Sequence, residues 1–230
     1  MKAELLAALN EARADKRRTC LVRYLESAEQ ALVVDGTTVA GTTPSDVSEA
    51  IATALRRDES MTVDSSRGRA FLQVFNPPLR LIVIGAVHIA QALAPMASLA
   101  GYQVTVVDPR RAFATDSRFP DVAMTQDWPD EAMLALAPDR RTAVVALTHD
   151  PKLDDPGLDV ALRSEAFYIA ALGSRRTHAG RLERLKGLGH DDAMLARIHG
   201  PAGLDIGAVS PAEIAIAVMA EMTTALRGIA

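Results

Sequence analysis

The chain has 230 residues, with 25 Lys and Arg against 29 Asp and Glu, a net charge of −4 and a pI near 5.7. That balance excludes a protein built around a nucleic-acid backbone and leaves any anion affinity to local clusters. The single cysteine, Cys20, excludes an intrachain disulfide framework and a multi-cysteine metal site; the charge-broken N-terminus "MKAELLAALNEARADKRR" offers neither signal peptide nor membrane span, so a reducing, cytoplasmic setting is expected.

Residues 3–14 read as a charged helix, "TCLVRYLE" and "ALVVDG" as strands, and a helix capped by "TPSD" runs to Arg57 before the strand-like "AFLQVF". Cys20 sits in strand-like surroundings without glycines and reads as a core residue. Pro77-Pro78 then punctuates the chain. The expected organisation is a small α+β domain over 1–78 and a second domain over 79–230.

From residue 79 the pattern changes. Apolar, β-branched runs ("LRLIVIG", "YQVTVVD", "VAMTQ", "TAVVALTH", "FYIAALG") alternate with helical stretches. Runs of that kind mark parallel strands covered on both faces, so a doubly wound α/β sheet is expected. Asp155-Pro156 reads as a helix N-cap followed by Pro at the first helical position. After "FYIAALG" the chain reads as helical. It finishes with an amphipathic helix from Pro211 to about Arg227, opened by the capping box Ser210-Pro211-Ala212-Glu213, which makes Glu213 a cap.

"LIVIGAVHIA" (81–90) begins like a dinucleotide-binding turn. Gly85 supplies the tight turn and Ala90 fits the close-packing position, but Val87 occupies the place where a glycine would let a pyrophosphate approach. Asp108, ending the next strand, stands where a ribose-binding acid would sit. An NAD(P)-linked oxidoreductase, with Asp108 on the ribose or Arg110 on a 2′-phosphate, is therefore the enzyme reading.

Ligands of open α/β sheets bind beyond the carboxyl ends of the strands. Those ends carry His88, then Asp108, Arg110 and Arg111, then His149, Asp150, Lys152, Asp154 and Asp155, then Gly173, Ser174, Arg175, Arg176 and His178. Ser174 reads as an N-cap, which puts Arg175 and Arg176 in a first helical turn, against the helix dipole at roughly 0.3–1 kcal/mol each when exposed. A bound anion would reverse that sign; two solvated arginines are the plain alternative. His88 either meets an anion or packs at its turn. His149 and Asp150 either ligate a metal or belong to a turn held by Asp side chains. The glycine-rich "RIHGPAGLDIGA" (197–208) is either a tight connector or a loop that a ligand approaches closely.

Taken together, "GAVHIAQALA", "VTVVDPRRAFATDSRFP", "LTHDPKLDDPGL", "FYIAALGSRRTHAGRLERL", "RIHGPAGLDIGA" and "PAEIAIAVMAE" resemble, in order and spacing over about residues 79–225, the XdhC/CoxI family of accessory proteins for molybdenum hydroxylases. The resemblance implies a Rossmann-like C-terminal domain and binding of the molybdenum cofactor, molybdopterin, in its mono- or dinucleotide form. It also implies a role in sulfurating that cofactor or inserting it into an apo molybdenum hydroxylase. A cysteine desulfurase and a second copy of the chain are the further implied partners. Two departures mark it as a short or divergent member: the family's usual turn is G-A-G-H where this chain has Val87, and the N-terminal G-G-C-V-E motif of longer members has no counterpart here. The rival readings are the NAD(P) enzyme and an interaction protein with a vestigial nucleotide fold.

Overall fold

The structure, a computed structural model, describes residues 3–113 and 117–228. The chain falls into two compact units, 1–77 and 78–230.

The first unit is a five-stranded antiparallel sheet in the order β3-β2-β1-β5-β4, with β1 Thr19–Tyr24, β2 Gln30–Val34, β3 Thr37–Ala40, β4 Met61–Ser65 and β5 Gly68–Phe75. Helix α1 (Ala3–Ala14) covers one face through Leu5 and Leu9 against Leu21 and Leu32. Helix α2 (Ser48–Arg57) covers the other, over Cys20, Val22 and Tyr24. Period-two alternation sends Leu21 one way and its neighbours the other. Because both faces are covered, "TCLVRY" is apolar almost throughout. Cys20 is fully buried, and desolvation pushes its thiol up to about 12. The "TPSD" cap is not realised. A 3-10 turn over Ser45–Val47 precedes α2, whose N-cap is Val47 with no side-chain bond, while Asp46 accepts instead from the Ser66 amide at 2.6 Å.

The second unit holds a six-stranded, all-parallel sheet: β6 Leu79–Ile84, β7 Tyr102–Val107, β8 Ala123–Thr125, β9 Thr142–Ala146, β10 Tyr168–Ala171 and β11 Ile198–His199. Their order is β11-β10-β9-β6-β7-β8, the arrangement of a doubly wound nucleotide fold, with its switch point between β6 and β9. Leu81 and Val83 face the core shared with α3 (His88–Leu99) and α8 (Pro211–Arg227). Ile82 and Ile84 face the opposite core, which includes residues of α4 (Pro129–Leu136), α5 (Pro151–Arg163) and α6 (Arg175–Gly187). The capping box of α8 forms as expected. The helix start expected at Asp155-Pro156 does not form there. Asp150 caps α5, accepting from the Lys152 amide at 3.0 Å, with Pro151 at the first helical position. "HDPKLDDP" holds two Asp-Pro pairs, and burial decides between them: Asp155 is 8 % exposed and tied to Arg184 at 2.5 and 3.1 Å. After β10 the chain is not wholly helical, since β11 pairs with β10 and extends the sheet.

Candidate functional site

Gly85 ends β6 at φ +108°, and a Cβ there would lie 2.4 Å from Thr148 Cγ2. Both the left-handed backbone and the loop after β9 therefore require glycine. Ala90 is fully buried, so the third position does its packing work, while Val87 is the N-cap of α3 and supplies no side-chain bond to it.

Asp108 is fully buried beside this turn. It accepts from the amide of Ala86 at 2.8 Å, the amide of Arg110 at 3.0 Å, and both arms of the Arg110 guanidinium at 2.9 and 2.8 Å. Burial alone would raise its pKa. The Arg110 side chain and the two amides outweigh that and hold the carboxyl below the ordinary carboxylate range. Asp108 is thus a clamp between two loops, and a ribose hydroxyl would have to displace one of its donors. Arg110 is engaged by the same bond and stacks over Phe113 with 4.6 Å to the ring centroid. His88 and Arg111 are both exposed, His88 as the first residue of α3.

The loop after β9 is organised by Asp154, one of the acids that the sequence places beyond that strand. Asp154 is 1 % exposed and accepts from the Thr148 hydroxyl at 2.6 Å and amide at 3.3 Å. Burial raises its pKa, against the opposing pull of Thr148 and Arg181. His149 adopts φ +62° between Thr148 and the capping Asp150. Among the described residues no group of three or more His, Cys, Asp or Glu side chains is placed to hold a metal ion. Arg181, also 1 % exposed, lies 3.5 Å from Asp154 and donates to the Leu172 carbonyl at 2.9 Å. This buried pair joins the β9–α5 and β10–α6 loops. In "RRTHAGRLERLK" only its place four residues before the buried Leu185 distinguishes Arg181 from the arginines around it.

Beyond β10, Gly173 turns at φ +140°, and a Cβ there would be 3.8 Å from His149 Nδ1, so His149 stands at this turn. Ser174 caps α6 by accepting from the Thr177 amide at 3.2 Å. Arg175 and Arg176 are the first two residues of the helix, both exposed and with no ion pair among the described residues. The ring of His178 occupies the space a Cβ on Gly200 would need, its Nδ1 is buried with no hydrogen-bond partner among the described residues, and burial followed by Arg181 lowers its pKa. In the sheet β7 and β10 are separated by β6 and β9. The Arg110/Arg111 and Arg175/Arg176 loops thus emerge three strand spacings apart, roughly 14 Å, one pair to each side of the switch point.

A family model described as the XdhC Rossmann domain matches residues 81–222. The chain is 31 % identical over 171 residues to the uncharacterized protein YqeB of Escherichia coli, covering 73 % of this chain and 32 % of that one. It is 33 % identical over 150 residues to the molybdenum cofactor insertion chaperone PaoD of Escherichia coli, covering 65 % and 41 %. To a probable xanthine dehydrogenase subunit of Bacillus subtilis it is 33 % identical over 153 residues, covering 66 % and 44 %. The chain thus spans less than half the length of these curated relatives. A solved Bacillus halodurans structure, described as a xanthine dehydrogenase, matches with a TM-score of 0.73 over 98 % of this chain and 67 % of that one at 24 % identity, a shared fold.

Proposed function

Because this chain belongs to the XdhC Rossmann-domain family, we propose that it is a non-catalytic accessory protein that holds the molybdenum cofactor and delivers it to an apo molybdenum hydroxylase of the xanthine dehydrogenase type. The observation that carries this reading is the start of α6. Ser174 caps the helix, and Arg175 and Arg176 sit in its first turn without counter-ions among the described residues. Two cations placed against a helix dipole are unfavourable alone and favourable once an anion binds there. The cofactor carries a phosphate, or a pyrophosphate in its dinucleotide form, which fits that position. Arg111 and His88, across the switch point, extend the same anion-facing edge, and His149 stands beside it. The cofactor holds its metal through its own dithiolene, so the chain needs no metal-ligand cluster to bind it.

The nicotinamide reading has no comparable support. Val87 fills the pyrophosphate approach, and Asp108 spends its carboxylate on Ala86 and Arg110. Cys20, buried and with its thiol at about 12, is unfit to carry sulfur. Sulfur added to the cofactor is therefore not carried by Cys20, in keeping with a cysteine desulfurase as partner. Assembly as a homodimer and a cytoplasmic location complete the proposal; no helix among the described residues is long and apolar enough to cross a membrane.

The test compares cofactor retained by the wild-type chain and by Arg175→Ala/Arg176→Ala, released and oxidised to its fluorescent form. At least a tenfold loss is expected, with thermal stability unchanged or slightly higher. Full retention would mean that the cofactor is held elsewhere, and no cofactor on the wild-type chain would overturn the reading.

A further inference from the structure

The segment "GPAGLDIGA" forms one wall of a separate cavity of about 300 Å³, on the α8 side of the sheet beyond the ends of β10 and β11. Leu172, Pro201, Leu204, Ile206 and Ile214 make its walls apolar. Among the described residues its only ionisable groups are Arg175 and Asp205, and neither forms an ion pair.

The wall is fixed from behind. Gly203 lies so close to α8 that a Cβ would be 2.8 Å from the Val218 amide nitrogen and 2.9 Å from the Ala217 carbonyl carbon, and its φ is +91°. Its amide donates to Glu221 at 2.9 Å, and the same carboxylate accepts from the buried Tyr168 hydroxyl at 2.6 Å and lies 3.1 Å from His199. The amides of Ala202 and Leu204 are bonded to the Ala171 and Ala217 carbonyls, each at 3.2 Å. A pocket held in this way is preorganised, and its ligand does not have to order the loop. Its volume suits a bicyclic heterocycle and not a whole dinucleotide.

We propose that this cavity takes the heterocyclic end of the ligand through a 2-amino-4-oxopyrimidine edge, with the rings against the apolar walls, the adjacent N–H donors on the Asp205 carboxylate, and the anionic end toward Arg175 and the start of α6. A carboxylate accepts two parallel N–H bonds, and that edge presents two donors side by side. Adenine and cytosine present no such pair. The inference rests on the cofactor-binding reading above and adds to it which end of the molecule goes where. Pterin and guanine share the edge, the first in every form of the cofactor and the second in one dinucleotide form.

Neopterin, GMP and AMP are titrated separately into the full chain, following pterin fluorescence and heat. Neopterin or GMP binding at least tenfold tighter than AMP supports the assignment, and the tighter of the two identifies the seated end. Asp205→Asn should weaken that binding at least tenfold, and Ala208→Trp, which fills the cavity from its rim, should abolish it, both with unchanged melting temperatures. Equal affinity for AMP, no neopterin or GMP binding, or affinities untouched by both variants would overturn it. Cofactor retention is measured in parallel. Retention by wild type with a neopterin-indifferent pocket removes this inference alone. No retention, with Asp205-dependent neopterin binding, removes the cofactor reading and leaves the pocket.

Discussion

Asp108, just past β7, and Asp154, in the first turn of α5, are two buried carboxylates whose environments push them in opposite directions. Asp108 has four donors and a depressed pKa. Such a group contributes stability that is fully present above its unfolded pKa of about 3.9 and is lost as pH falls through the folded value. Asp108→Asn should cost about 2 kcal/mol at pH 7, and the gap from wild type should shrink as urea unfolding is repeated toward pH 3. A gap independent of pH would show that the charge of Asp108 contributes nothing. Asp154, with a raised pKa, works the other way: its contribution is full below the unfolded value and declines as pH rises. Its pairing with Arg181 makes Arg181→Met alone destabilising by about 3–5 kcal/mol, because a buried charge is stranded. Adding Asp154→Leu should recover most of that in the same urea assay. The sequence shows that an acid stands 23 residues past Gly85. It does not show that Arg110, two residues on, turns back to take it.

Elements are legible in the sequence wherever both faces of a strand are covered. The five apolar runs from residue 79 onward are all strands of the parallel sheet. Three strands are illegible for definite reasons. β3 and β4 are edges of the antiparallel sheet, where polar residues face solvent (Thr37, Thr38, Thr62 and Asp64), and β11 is two residues long. Gly157 is a case where element and packing disagree. Glycine inside α5 weakens the helix by roughly 0.5–1 kcal/mol relative to alanine, yet a Cβ there would meet Ile84 Cδ1 at 2.4 Å and Pro129 Cβ at 3.2 Å. Gly157→Ala should therefore destabilise by about 1–3 kcal/mol despite its better propensity, seen as a lower denaturation midpoint. A gain would show that α5 shifts freely over β6 and α4. The start of α6 is legible because Ser174 and the arginines after it are local in sequence. The true start of α5 is not, because its choice between two Asp-Pro pairs depends on Arg184, a residue from another helix.

At the scale of the whole molecule, the doubly wound order of the second unit sets which loops can share a ligand. The sequence names the strand ends but not their lateral order, so in sequence the four arginines look like one cluster. The order β10-β9-β6-β7 parts them into two pairs and leaves Arg175 and Arg176 as the pair without counter-ions among the described residues. The glycine-rich segment, which the sequence leaves open between connector and ligand loop, proves to be tied down from behind and hollow in front. The proposed function requires that this nucleotide-type fold hold a phosphorylated pterin cofactor and not a nicotinamide. Native mass spectrometry of the chain purified from molybdenum-replete cells reads this directly. A bound species with the mass of molybdopterin or its dinucleotide is expected, released on denaturation and absent from Arg175→Ala/Arg176→Ala. A bound mass equal to NAD(H) or NADP(H), in wild type and double variant alike, would contradict it.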